Sequence, residues 1–288
     1  PTEEVVGLAS VMRGSNGVYA THMRDESDGV EESLEEALRI GREAGVTVLV
    51  SHHKVIGPRN FGRSVRTLAR IDRATGEQRV GLDLYPYIAG STMLDPNRCR
   101  GQMRVLVTWS RPHPEQAGRD IDTIAADWGC DTHAAAQRLL PAGAIYFMLD
   151  EADVQRIMAY PLTMIGSDGL PHDQHPHPRL WGTFPRVLGH YARTLGLMTM
   201  EEAVHRMTQL PARFFGLADR GEIRAGAYAD IVVFDPATVI DRATFESPEA
   251  VATGIRTVIV NGQAVWEDGA ASARRPGRML RRTGSIRR

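Results

Sequence analysis

The chain has 288 residues, a formal net charge of −1, 42% hydrophobic and 24% charged residues, the make-up of an ordinary globular protein. The near-neutral balance argues against a dedicated nucleic-acid binder or a polybasic membrane-surface protein. No run approaches 18 apolar residues, so no transmembrane helix is expected. The only cysteines, Cys99 and Cys130, form neither a disulfide framework nor a CxxC metal knuckle; they are expected to be free thiols in a reducing cytoplasm. The chain begins at Pro1, without Met and without a signal-peptide pattern, and is expected to start part-way through a longer protein.

Short β-branched runs alternate with amphipathic segments. Val18–Thr21 reads as a strand. From Val30 to Ala44 the residues Val30, Leu34, Ala37, Leu38 and Gly41 recur at helical spacing, with acids on the other face and Gly45 as a stop signal. Val46–Val50 reads as a strand buried on both faces, as in parallel sheets. A helix over Arg63–Ala74 and a strand over Val80–Leu84 follow, then a long irregular stretch through Arg100. Further strands are predicted at Val105–Val107, Ala144–Met148 and Leu162–Ile165. Helices are expected at Asp120–Trp128, Thr132–Leu139, Val154–Met158, Gly182–Leu195 and Met200–Leu210. This rhythm predicts a parallel α/β architecture of four or five units, fewer than a closed eight-stranded barrel needs.

From Gly221 the texture changes to short strands at 229–235, 255–260 and 264–266, without long helices between them. Asn261-Gly262 between two apolar runs is a strong hairpin signal. The domain reading is therefore residues 1–220 for the barrel strands, 221–273 for a small β-sandwich module and 274–288 for a basic tail. That tail holds seven Arg and is expected to be a solvated, mobile end.

In a parallel barrel, reactive residues follow the C-terminal ends of strands. His22, Arg24, Asp25 and Glu26 follow the first predicted strand. Ser51, His52, His53 and Lys54 follow the second, Tyr85 and Tyr87 the third, and Gly166-Ser-Asp168-Gly the last. Imidazole nitrogens and a carboxylate at successive strand ends suit a zinc ion and its water, although a lone strand-end histidine is more often a hydrogen-bonded structural residue. The tract holding His172, His175 and His177 is broken by prolines, so its histidines read as polar loop surface. His113, His133, His190 and His205 carry no role. No phosphate-binding loop and no Gly-x-Ser-x-Gly motif is present.

Four segments, Tyr19-Ala-Thr-His-Met-Arg-Asp-Glu26, Ser51-His-His-Lys54, Asp83-Leu-Tyr-Pro-Tyr87 with Gly90-Ser-Thr-Met-Leu94, and Ile165-Gly-Ser-Asp-Gly-Leu-Pro-His172, resemble the D-aminoacylases. These are N-acyl-D-amino-acid deacylases of the amidohydrolase superfamily. Pro178–Gly189, Ala227–Asp235 and Val260-Asn-Gly continue the match, so the resemblance runs from about Tyr19 to Arg282. It implies a metal-dependent TIM-type barrel, here its later strands, with a small β-domain, and hydrolysis of the amide of a small N-acyl-D-amino acid. His22 and His52 match the two zinc-binding histidines, and Asp168 the catalytic aspartate that takes a proton from the attacking water. Lys54, Tyr85, Ser91 and Arg179 match positions that hold and orient the substrate carboxylate. Tyr146 falls in the region lining the acyl or side-chain pocket.

The family pattern also includes a His-x-His motif and a metal-binding Cys ahead of the matched region. No His-x-His precedes His22, and both cysteines follow it. The resemblance is thus to the C-terminal portion, and a missing N-terminal segment or self-association is expected to complete the site. Two other readings stand beside it. One is a different amide hydrolase of the same superfamily; the other is a non-catalytic fragment lacking the upstream metal ligands. No nucleic-acid or membrane partner is expected.

Overall fold

The structure is a computed structural model that describes residues 1–101 and 103–281. Its centre is a parallel sheet of β1 (Val18–Thr21), β2 (Thr47–Val50), β3 (Val80–Leu84) and β7 (Thr163–Ile165), in that spatial order. Helix α2 (Val30–Ala44) forms between β1 and β2 with the predicted bounds, and Leu34, Ala37 and Leu38 are buried on its inner face. Gly45 ends it in the left-handed conformation, φ 69°, which a Cβ disfavours. Gly41 lets the helix lie close to the sheet, since a Cβ there would come within 2.1 Å of Val48 Cγ2.

Helix α3 (Ser64–Thr75) connects β2 to β3, and α6 (Glu151–Ala159) precedes β7. Val48, Val50, Leu82 and Leu84 from the sheet meet Leu34, Ile71, Ile157 and Tyr191 in the main core. Helix α1 (Thr2–Ser10), which the sequence pattern does not signal, places Ala9 against Ile40, Ala44 and Val46. After β7 come α7 (Arg179–Arg186), a π-helical stretch over Val187–Thr194, α8 (Met200–Met207) and α9 (Gln209–Phe215). The long helix predicted from Gly182 is thus two pieces. Pro185 removes one N–H from the ladder just before the hydrogen bonding changes.

The segments predicted as parallel strands around 105–107 and 144–148 do not join the central sheet. They are β5 (Val105–Ser110) and β6 (Ala142–Tyr146), which with β4 (Gly90–Met93) form a separate antiparallel sheet of order β4-β6-β5. The sequence pattern misleads here because β6 is buried along its whole length. A continuous apolar run looks the same in a covered antiparallel strand as in a parallel one. Strand β4 lies in the stretch expected to be irregular, because its Gly-Ser-Thr-Met residues show no apolar alternation. Helices α4 (Ile121–Asp127) and α5 (Thr132–Leu139) cover this sheet with their own cluster, which includes Val105, Val107, Ile124 and Leu139. The whole subassembly is inserted between β3 and β7, and it walls the site described below.

Beyond it, β8 (Ile231–Phe234), β9 (Ile255–Val260), β10 (Gln263–Glu267) and β11 (Ala270–Ala271) form an antiparallel sheet of order β11-β10-β9-β8. The β9–β10 hairpin turns at Asn261 and Gly262, whose φ angles of 48° and 79° are those of a primed turn. Among the described residues this module is a single sheet, not the two-layered sandwich expected. Its strands are accordingly only half-buried. The start of the basic tail is tied down rather than free: Asn261 Nδ2 donates to the Pro276 carbonyl at 2.7 Å, and the Arg278 guanidinium lies 4.0 Å from the Tyr228 ring centroid. Residues 282–288 of the tail lie outside the described residues.

Candidate metal and substrate site

The C-terminal ends of β1, β2, β3 and β7 open into one cavity of about 660 Å³, lined among others by His22, Glu26, His52, Lys54, Tyr85, Ser91, Asp168 and Arg179. All seven residues named from the family match as ligands, base or carboxylate holders therefore reach a common space.

The β1 end is shaped by Asp25. Its carboxylate accepts from the Ser27 N–H at 2.6 Å and the Gly29 N–H at 3.0 Å, closing a turn into α2. The Ser27 hydroxyl holds this carboxyl below the usual range. The turn leaves His22 exposed and sends Glu26 inward, where its side chain is only 3% exposed. At the β2 end, Asp83 of β3 accepts the His52 N–H at 2.8 Å, and its backbone carbonyl accepts the His53 N–H at 2.7 Å. These bonds keep His52 at φ 39°, a conformation a histidine does not adopt without support. Burial pushes the Asp83 carboxyl up.

The two imidazoles meet edge to face, with His22 Nδ1 2.9 Å from His52 Nε2. Glu26 faces their other sides: its oxygens lie 3.6 Å from His22 Nε2 and 3.2 Å from His52 Nδ1. Lys54 Nζ donates to Glu26 at 2.6 Å and to the His52 carbonyl at 2.9 Å, and lies 2.6 Å from His52 Nδ1. Burial drives the Lys54 amine below its ordinary value, with Glu26 opposing. Burial alone would raise Glu26, but the bond from His52 and the charge of Lys54 outweigh it and hold the carboxyl low. Burial also lowers His22. His22, Glu26 and His52 each bring one ligand-type atom within 4.8 Å of the others. Two facing imidazole nitrogens backed by a carboxylate are a donor set that fits zinc.

Across the cavity, Arg179 Nη1 lies 2.9 Å from the Asp168 carboxylate. The Arg179 side chain is buried, while Asp168 is exposed to the cavity at φ 49°. The guanidinium carbon sits 4.5 Å and Lys54 Nζ 5.9 Å from the Tyr85 ring centroid, so two cations flank one aromatic ring. Burial raises the Tyr85 hydroxyl, which stays protonated as a donor. Arg179 Nε and Ser91 Oγ are buried with no hydrogen-bond partner. Unpaired buried donors are costly.

Three contributors carry no role in the sequence pattern. Glu26 follows the first predicted strand and Asp83 lies in the third, both within segments of the family resemblance, yet neither is given a role by it. His177 is the third, and it corrects the expectation of a surface histidine. It is 2% exposed, with Nε2 donating to the Ala89 carbonyl at 3.0 Å and Nδ1 accepting the Arg179 N–H at 3.0 Å. Tyr146 is buried beneath the cavity wall, where its hydroxyl accepts the Asp95 N–H at 2.8 Å and donates to the Met93 carbonyl at 3.1 Å. Met93 and Asp95 line the cavity in its place. His175 donates to the Phe245 carbonyl at 2.7 Å, and both cysteines are free thiols. Among the described residues no helix is long and apolar enough to cross a membrane.

Comparison with known proteins fits this geometry. The profile of the amidohydrolase family matches residues 14–266. A D-aminoacylase from Alcaligenes xylosoxydans xylosoxydans is 56% identical over 284 residues, covering 99% of this chain and 59% of its own length. A D-aminoacylase crystal structure, one described as defining a novel subset of amidohydrolases, superposes with a TM-score of 0.92 at 58% identity over 95% of this chain and 58% of that one. An N-acyl-D-glutamate deacylase from Bordetella bronchiseptica, solved with zinc and a phosphonate mimic of the tetrahedral intermediate, gives a TM-score of 0.94 at 52% identity over 98% of this chain and 60% of that one. The chain spans about three fifths of the length of the curated relatives it matches. With the profile covering most of its residues and the strand-end histidines in one cavity, the chain belongs to the amidohydrolase family.

Proposed function

We propose that the protein carrying this sequence is a zinc-dependent deacylase that hydrolyses N-acyl-D-amino acids to a D-amino acid and a carboxylate. The observation that carries this reading is the sharing of one cavity by the His22–His52 pair and the Arg179–Asp168 pair. His22 and His52 would hold the metal. When bound, zinc lowers the pKa of water toward about 7 and polarises the amide carbonyl. Asp168 takes the proton of the attacking water and returns it to the leaving amine. Arg179 holds Asp168 in place with Nη1, and still has its unpartnered Nε–H to offer a substrate carboxylate. Ser91 Oγ, the Tyr85 hydroxyl and Lys54 supply further donors around that carboxylate. With the carboxylate held at Arg179 and the amide at the metal, a cavity wall that admits the side chain on one side alone would select one hand of the α-carbon.

The test is zinc content together with hydrolysis of N-acetyl-D-methionine and its L-enantiomer by the whole protein that carries this sequence. Bound zinc with turnover of the D-form alone is expected. Equal cleavage of both enantiomers, or full turnover after chelation of the metal, would overturn the reading.

A further inference from the structure

We propose that Glu26 is the positioning residue of this centre, a single buried carboxylate that holds both metal-facing imidazoles and the lysine of the substrate site in register; this rests on the metal-dependent reading above. The geometry separates inner from outer nitrogens. His22 Nδ1 and His52 Nε2 face each other at 2.9 Å, while His22 Nε2 and His52 Nδ1 face the two oxygens of Glu26 at 3.6 and 3.2 Å. A neutral imidazole that offers its inner nitrogen to a cation carries its proton on the outer one, and an acceptor there fixes both ring orientation and tautomer. Glu26 stands in that place for both rings, one oxygen 3.2 Å from His52 Nδ1 and the other 3.6 Å from His22 Nε2, the second a charge contact longer than a hydrogen bond.

Lys54 makes the arrangement more than a pair of props. Its Nζ lies 2.6 Å from His52 Nδ1 and 2.6 Å from Glu26 Oε1. Donation to Nδ1 requires that nitrogen to be bare, with the His52 proton on Nε2 shared toward His22. Once Nε2 is committed to a cation, the proton belongs on Nδ1, where Glu26 accepts it. Lys54 then retains Glu26 and the His52 carbonyl, at 2.9 Å, as acceptors. The carboxylate therefore ties the proton position on a metal ligand to the hydrogen bonding of the lysine that faces the substrate. Its oxygens are engaged on the outer side of the rings, which sets it apart from a direct ligand.

The experiment titrates the metal-free whole protein with Zn²⁺ and Co²⁺ in competition with a chelator, records the visible spectrum of the cobalt form, and measures KM for N-acetyl-D-methionine. Glu26→Gln is expected to weaken metal affinity by about 10- to 100-fold, with unchanged stoichiometry at saturation, unchanged cobalt band positions and a raised KM. Should Glu26→Gln fail to fold because Lys54 is left uncompensated, Glu26→Gln/Lys54→Met is measured instead and is expected to show the same affinity loss. Affinity within twofold of wild type would overturn the proposal. So would a shifted cobalt spectrum with the metal loss of His22→Ala, since Glu26 would then be a ligand. If wild type binds no metal, or His22→Ala binds it as tightly, the metal-dependent reading itself fails, a different result from either outcome at Glu26.

Discussion

Arg179 Nη1 sits 2.9 Å from the carboxylate of Asp168, joining a buried cation on α7 to an exposed acid in the loop after β7. The pair places the proposed proton carrier and the proposed carboxylate receptor in one contact, so a change at either end should be felt by both. Arg179→Met is expected to lower kcat/KM for N-acetyl-D-methionine by about 100-fold or more, the scale of a lost buried charge-assisted contact. Steady-state kinetics check this, with the rise in KM exceeding the fall in kcat.

Asp168→Ala removes the acid while leaving His22 and His52 untouched. Metal content should stay at the wild-type level and turnover should drop about 100- to 10,000-fold, the range for a general acid–base group. Metal analysis beside single-turnover kinetics decides it, and near-normal turnover would exclude Asp168 as the base.

Asp83 supports His52 from below through the 2.8 Å bond to its backbone N–H. Asp83→Asn keeps an oxygen at that position, whereas Asp83→Ala leaves the N–H unpaired. The alanine variant is expected to lose about 1–3 kcal/mol of stability, with the asparagine variant losing less. Denaturant titration gives the comparison.

Tyr146→Phe removes a hydroxyl that bonds both Met93 and Asp95 in the cavity wall. A loss of about 1–2 kcal/mol is expected for the two bonds, along with a few-fold rise in KM as the wall loosens. Thermal unfolding and kinetics read the two effects separately.

His177 sets a pH dependence. Burial, with Arg179 nearby, holds its pKa well below the ordinary histidine value. The unfolded chain therefore binds a proton near pH 6.5 that the folded chain refuses. Stability from this group is complete above about pH 6.5 and falls as the pH drops below it, because the unfolded state gains protons first. Denaturant midpoints at pH 8, 6.5 and 5 should decline in that order, and His177→Gln should show a shallower decline.

Much of this protein is legible along the chain. Val30–Ala44 declares its helix because apolar residues at 3.6-residue spacing end at a glycine that can turn left-handed. Asn261-Gly262 declares its hairpin because both residues tolerate positive φ. His22, His52 and Asp168 stand out because they follow apolar strands, and strand ends gather on one face of a parallel sheet. These are local properties, carried by residues a few positions apart.

Only the tertiary structure decides the rest. Strands β5 and β6 could not be assigned to the antiparallel sheet from their own residues, since burial on both faces erases the alternation that distinguishes them. Glu26 is one of several polar residues after the first predicted strand, and nothing in the sequence singles it out from Arg24 and Asp25. It becomes central because β1 and β2 pair in parallel and bring Lys54 and His52 around it. Likewise His177 looks like loop surface until Ala89, from a distant segment, closes on Nε2 while the nearby Arg179 N–H closes on Nδ1. The composition and periodicity of the chain thus determine its elements and which strand ends carry reactive groups. Which proton each group holds is decided by neighbours that chain folding alone supplies, because burial and hydrogen bonding act across space.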